Sequence, residues 1–474
     1  MIRRIFIAST AVLAFFAAAQ AGERTLTPDE AAAREIYRTV ISMRTAKGHG
    51  KVPEMAAYLA DKLKSAGFGD NDIEIVPVGE TAGLIVRLAG DGSSGAKPIL
   101  FLAHMDVVDA KREDWEYDPF VLREEDGYFI GRGVADNKYG VVNLTQTFMR
   151  LKRDGFTPNR DLIMVFTGDE ETDMATTRFL AYERPDLAEA EYALNSDASG
   201  GGFAKDGTVL PYFMQSAEKT YATFEVTARN PGGHSSRPRP DNAIYDLADA
   251  LQNIQQYKFP VMANEVTRAA MRANGAMRGG DIGEALIKFA DNPKSKKSKK
   301  AIKTIRADDT TSNFISTTCV ATMLSAGHAE NALPQSATAT VNCRIFPGVD
   351  IEEVRQTLVE VVDNEALEVK VTDDRFVSSP ASEPRADVKA ALEKSLRTRF
   401  ADIEIVPSMS SGGTDGMHFR RGGVPTYGAG AMFATVGDVN AHGLNERVLV
   451  ESFYGGLDHW IMLIKDLAGP TSAE

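Results

Sequence analysis

Cysteine is almost missing from this chain, with two in 474 residues, so a fold stapled by a framework of disulfides is excluded. Positive charge is in deficit. The 53 lysines and arginines against 66 aspartates and glutamates give a formal charge of −13. A net acidic chain repels phosphate backbones, so nucleic acid is not an expected partner. Past the N-terminus no apolar run approaches the ~20 residues of a membrane span, and no stable membrane anchor is expected. Histidine is scarce at seven, which gives each position weight. The rest is ordinary: 43% hydrophobic and 25% charged residues are soluble-globular proportions. The length suits two or three domains at roughly 100–200 residues each.

Residues 1–21 have the three-part layout of a secretory signal peptide: Arg3 and Arg4, an apolar stretch Ile5–Ala19, and a small-x-small site at Ala19-Gln20-Ala21. An exported protein, periplasmic or secreted, is the expectation. In an oxidising compartment Cys319 and Cys343 can bridge. Both lie in strand-like runs, and the sequence leaves a disulfide and two buried thiols equally open.

From 22 to 215, short apolar runs of strand length (84–88, 99–103, 162–166, 192–194) alternate with helical periodicity (28–67, 141–153), and Asp126-Gly127 marks a hairpin turn. This predicts an α/β fold with a mixed, largely parallel sheet flanked by helices. Residues 216–378 change pattern to strand, helix, strand, strand, helix, strand (strands at 221–228, 315–324, 336–346 and 368–373; helices at 242–256 and 351–367). That order is an α+β unit of the ferredoxin-like, split βαβ kind. Residues 379–474 return to the first pattern, so a second domain is inserted in the first. A polar stretch at about 259–312 carries Lys294, Lys296, Lys297, Lys299, Lys300, Lys303 and Arg306, read as a solvated helix face.

Three strand-like runs end in metal-capable side chains: His104-Met105-Asp106, Asp169-Glu170-Glu171 and Asn195-Ser196-Asp197. In open α/β sheets sites form beyond the carboxyl ends of strands, so these groups should converge. Asp136 stands just before a helix, where it is either a ligand or an N-cap, and His442 lies in a loop near the C-terminus.

These stretches, LFLAHMDVV, DWEYDPF with GYFIGRGVADNK, VFTGDEE, LNSD, NPGGHSSRP, NALP with NCRIFPG, SGGTDG and AHGLNE, resemble in kind and order the dinuclear zinc metallopeptidase family of aminoacylase, acetylornithine deacetylase, carnosinase and glutamate carboxypeptidase. The resemblance implies two zinc ions, with cobalt or manganese as alternative occupants. One would be held by His104, Asp136 and Asp197, the other by Glu171, His442 and the same Asp136 as a bridge. Two dications against three carboxylates leave net positive charge for a bridging hydroxide. By the same resemblance Asp106 orients the His104 ring, Glu170 is general base and then acid, and His234 steadies the oxyanion, in many members across a dimer interface. Arg344 and Asn331 match positions that contact the substrate carboxylate or backbone, and Gly412, Gly413 and Thr414 are expected to line that pocket. Thr172-Asp173 and Tyr139 depart from the family's usual glycines, and the insert at 259–312 makes the lid larger than the minimal form.

The function expected first is therefore a zinc carboxypeptidase or dipeptidase acting on small peptides, with a homodimer formed through the lid. An N-acyl-amino-acid amidohydrolase is the second reading and a non-catalytic binding module the third. Glu170 beside the complete ligand set argues against the last, because a binding module needs no general base.

Overall fold

Ile99–His104 and Leu162–Thr167 are six-residue runs buried along their whole length, as strands covered on both faces must be. The computed structural model describes residues 24–373 and 375–470; the signal-peptide reading of 1–21 lies outside the described residues. Among those described, no helix is long and apolar enough to cross a membrane.

The central sheet has the order Ile73–Val78, Thr81–Leu88, Leu162–Thr167, Ile99–His104, Tyr192–Asn195, Thr426–Gly428. The last four strands run parallel and the first two are antiparallel additions. Alternation along each strand divides the core in two. Ile99, Phe101 and Ala103 face helices Pro28–Ser42, Lys138–Arg153 and Val450–Ala468, where Trp460 meets Phe101 edge to face. Leu100 and Leu102 face the opposite layer with Leu180, Phe419 and Val424. The edge strand Ile73–Val78 escapes sequence reading because Glu74 and Pro77 interrupt its pattern; both are tolerable only at an edge, where one side is unpaired.

Residues 220–371 hold a separate four-stranded antiparallel sheet, ordered Thr318–Ala326, Ser336–Ile345, Thr220–Arg229, Leu367–Val371. Ala243–Gln256 and Ile351–Val362 pack on one face around Phe224, Leu247, Val341 and Leu358. The second helix stops short of the expected 367, because Asp363 turns left-handed (φ 50°) and closes it. Cys319 and Cys343 stand opposite each other on neighbouring strands and are disulfide-bonded.

The lysine-rich insert is more than a polar stretch. It forms helices Glu265–Arg278, Gly280–Asp291 and Lys299–Arg306, with their own core of Met271, Leu286, Phe289, Ile305 and Ile315. The six lysines stay exposed. Gly275 and Gly283 let the first two helices approach so closely that a β-carbon on either would meet the other's backbone.

Far from the strand ends, His459 is buried against the Ser395 hydroxyl and the Ala429 carbonyl (both 2.9 Å). Burial lowers its pKa from 6.5 to about 4. A folded-state pKa below the unfolded one contributes stability above pH 6.5 that is lost as pH falls toward 4, at most about 3 kcal/mol. Urea midpoints across this window should fall more steeply for the wild type than for His459→Gln, which cannot gain the proton.

Candidate active site

The parallel strands end at His104, Thr167 and Asn195, and the loops that follow bring the acids together. Beyond Thr167, Asp169 accepts from the Ala175 and Thr176 amides and anchors the next helix, so this acid is structural. Glu170 and Glu171 are thereby turned back toward His104, and their main-chain N–H groups donate to the Asp106 carboxylate (3.1 and 3.0 Å).

Asp106 is thus a clamp between two strand ends. Its main-chain carbonyl is the nearest acceptor for His104 Nδ1 at 3.1 Å, with the carboxylate at 3.5 Å. The carboxylate expected from sequence to orient the ring is thus beside it, and it also accepts the two glutamate amides. Either contact fixes the ring so that Nε2 points at Asp136.

Asp136 stands at the centre. Its Oδ1 lies 2.9 Å from His104 Nε2 and its Oδ2 3.1 Å from His442 Nε2, so each oxygen serves a different imidazole. The N-cap of the following helix is Asn137, not Asp136. The donor atoms of His104, Asp136 and Asp197 lie within 4.8 Å of one another, and so do those of Asp136, Glu171 and His442. Two donor triads therefore share one carboxylate. Glu170 is also within 4.8 Å of His104 and Glu171.

The electrostatics fit dications. Burial raises Glu170 well above the carboxylate range and, with help from the Asp136 charge, lifts Asp197 to about 8. Hydrogen bonds that the His442 ring donates to the Asp136 and Glu171 carboxylates raise it to about 10. Several half-buried acids share one space with two imidazoles, and among the described residues no lysine or arginine bonds to them. Mixed imidazole and carboxylate donors of this kind suit zinc and similar ions.

One acid that sequence reasoning left without a role organises the site. Glu446 is fully buried, accepts from the Gly133, Ala135 and Asp136 amides (2.8–3.0 Å), and pairs with Arg132 at 2.6 Å. Arg132 also donates to the carbonyls of His442 and Gly443 (both 3.1 Å), holding His442 in the left-handed conformation (φ 61°) that a β-carbon disfavours. Asp415 was likewise missed. Hydroxyls of Thr167 and Thr177 hold it, and burial lifts it to about 6. In sequence, an acid after Gly-Leu-Asn or Gly-Gly-Thr looks like any loop acid.

A cavity of about 720 Å³ opens over Asp136, Glu170, Glu171, Asp197 and His442. Arg344, Gly412, Gly413 and Thr414 also line it. The Arg344 guanidinium lies over the Tyr221 ring (4.7 Å), donates to the Ser411 carbonyl, and has no carboxylate partner among the described residues. The Gly412 amide points at Ser410 Oγ, so it is not free for a ligand, and Thr414 Oγ1 is engaged by Glu218. His234 and Asn331 are not in this cavity. Both are exposed on a short ribbon pairing Gly233-His234 with Ala332-Leu333, and Ser236 caps His234 Nδ1.

The profile of peptidase family M20/M25/M40 matches residues 100–466, most of the chain. The chain belongs to this family. Among relatives of the M20 chain, N-fatty-acyl-amino acid synthase/hydrolase PM20D1 of Xenopus tropicalis is 28% identical over 383 residues, covering 78% of this chain and 72% of that protein. Aminoacylase-1 of Sus scrofa is 24% identical and covers 91% and 94%. The M20 family metallo-carboxypeptidase Sso-CP2 from Sulfolobus solfataricus has the same fold (TM-score 0.69, 18% identity, 93% and 99% covered). The α/β architecture expected from sequence is that of the M20 structures, and the chain is an M20 hydrolase.

Proposed function

We propose that this M20 hydrolase cleaves the amide bond of a small substrate carrying a free carboxylate, with two divalent cations, zinc first among them, at the paired triads. The observation that carries the reading is Asp136, one carboxylate with an oxygen on each imidazole. His104, Asp136 and Asp197 would hold one ion; Asp136, Glu171 and His442 the other. Bound there, the ions would acidify a water and polarise the amide carbonyl.

The protein's own residues do the rest. Glu170, half-buried beside the triads, takes the proton from the attacking water and returns it to the departing amine nitrogen. Arg344, without an acid partner among the described residues and already positioned by Tyr221 and Ser411, pairs with the substrate carboxylate. The walls Phe213, Tyr221, Phe376 and Met432 keep bulk water away from the amide.

An N-acyl amino acid and a short peptide both present this amide beside a carboxylate. We take the N-acyl-amino-acid amidohydrolase first, because one relative above is named an N-fatty-acyl-amino acid synthase/hydrolase and another an aminoacylase; the carboxypeptidase or dipeptidase expected first from sequence stands beside it. Export belongs to the same reading, supported by the leader-like residues 1–21 and by a disulfide that an oxidising compartment maintains. So does a homodimer. The strand Thr318–Ala326 exposes Val320, Met323 and Leu324 along a sheet edge, and the outlying His234 and Asn331 would serve the partner's cavity. Sedimentation should give twice the chain mass.

Purified protein should hydrolyse N-acyl amino acids after loading with zinc, lose at least 99% of that activity in excess chelator, and regain it on adding metal. Full activity after exhaustive chelation would overturn the reading.

A further inference from the structure

The inserted helices do something that neither the metal cradle nor the carboxylate anchor requires. Helix Glu265–Arg278 leaves its own core partners on one side and packs against strands Ile405–Ser410 and Tyr212–Glu218 of the catalytic unit. Between them lies a second cavity of about 240 Å³, walled by Ala270 and Met271 of the helix, Phe314 beyond it, and Phe213 and Met409 of the strands.

Two features place this pocket beside the active site. Phe213, Ser408 and Met409 line both cavities, so the small one adjoins the large one across a shared wall. Along the chain, that wall leads straight into the site's own loops: Met409 stands next to Ser410, which lines the main cavity with Gly412, and Phe213 bridges to Gly200, shortly after Asp197.

Apart from the Ser408 hydroxyl, the lining is also apolar in effect. Thr267 gives its hydroxyl to the Asn264 carbonyl and accepts the Asn264 amide, and Asn274 donates to the Ala270 carbonyl. No charged side chain lines the pocket. Water there finds few partners, whereas an alkyl or aryl group gains burial at little polar cost.

We infer that this pocket, built by the insert, receives a long apolar arm of the amide substrate and that Ala270, Met271, Phe314 and Met409 set its length. The inference rests on the amide-hydrolase reading above and adds the substrate's chemical class. The arm has two possible sources, the acyl chain or the amino-acid side chain, and both have the same chemistry toward the pocket.

Two substrate series separate the sources: N-acyl alanines from acetyl to dodecanoyl, and N-acetyl amino acids from alanine to phenylalanine and 2-aminooctanoate. In the series whose arm enters the pocket, kcat/KM should rise about threefold to fourfold per methylene until the space is filled. Ala270→Phe places a ring in the pocket and should lower the long-to-short ratio of kcat/KM at least tenfold. Ala270→Leu should move it in the same direction by less. Phe314→Ala should shift the preference toward longer arms. Each ratio is taken within one preparation, so a loss of folded protein cancels.

Calorimetry of metal-free protein with decanoate and acetate reads the pocket without catalysis. Decanoate should bind at least tenfold more tightly than acetate, and Ala270→Phe should remove the difference. Length preferences in both series that ignore the Ala270 and Phe314 substitutions, or decanoate binding equal to acetate, would overturn the inference while leaving the hydrolase reading intact. Decanoate binding lost in Ala270→Phe, together with no turnover of any amide by metal-loaded wild type, would uphold the pocket and overturn the hydrolase reading.

Discussion

Glu170→Gln is expected to lower kcat on the best N-acyl amino acid by about 10²–10⁴-fold with the metal content unchanged. The carboxylate and the amide have nearly the same size, so the substitution removes the proton acceptor and little else. Glu170 is not a member of either triad around Asp136, so both cation positions should survive. Its main-chain amide, which bonds Asp106, is also unaffected. Activity and metal analysis on the same sample decide the matter. Loss of a metal equivalent along with activity would make Glu170 a ligand, and wild-type turnover would remove it from the mechanism.

The second large effect is expected at Glu446, which touches neither cavity nor substrate. Its carboxylate is the common acceptor for the Gly133, Ala135 and Asp136 amides and, among the described residues, the sole carboxylate partner of buried Arg132. Glu446→Ala leaves that guanidinium buried without a counter-charge, a change that costs about 3–5 kcal/mol when one partner of a buried pair is removed. It also frees the loops that aim Asp136 and His442. We therefore expect the denaturation midpoint to fall and the affinity for zinc to drop about 10–100-fold, the range seen when groups that orient metal ligands are lost. Denaturant unfolding and competition with a chromogenic chelator measure the two. A variant that keeps wild-type zinc affinity would show that the loops hold their geometry without Glu446.

What the sequence disclosed follows from range. Strands buried on both faces announce themselves as unbroken apolar runs, so 99–103, 162–166 and 192–194 could be read as strands, with His104, Glu170, Glu171 and Asp197 at their ends. Asp136 and His442 came from the motif resemblance, since nothing local separates a loop histidine from a ligand. Two kinds of information were out of reach. Contacts across the chain were hidden: the Arg132–Glu446 pair spans 314 positions, and the carboxylate of Asp106, beside the His104 ring as expected, also holds the amides of Glu170 and Glu171, 64 and 65 positions on. Packing direction was hidden too. The insert's lysines dominate its composition, yet its apolar stripe builds a core and one wall of a pocket. The outlying position of His234 and Asn331 reflects the same limit, because a ribbon's aim toward its own or a partner's site is set by tertiary structure.

The central claim is that two cations share Asp136, and counting metal ions tests it most directly. Mass-spectrometric metal analysis after zinc loading and dialysis should find two equivalents per chain in the wild type, one in His442→Ala, and fewer than one in Asp136→Ala, since both triads lose a donor. An Asp136→Ala protein that is folded and still retains two zinc ions would contradict the account.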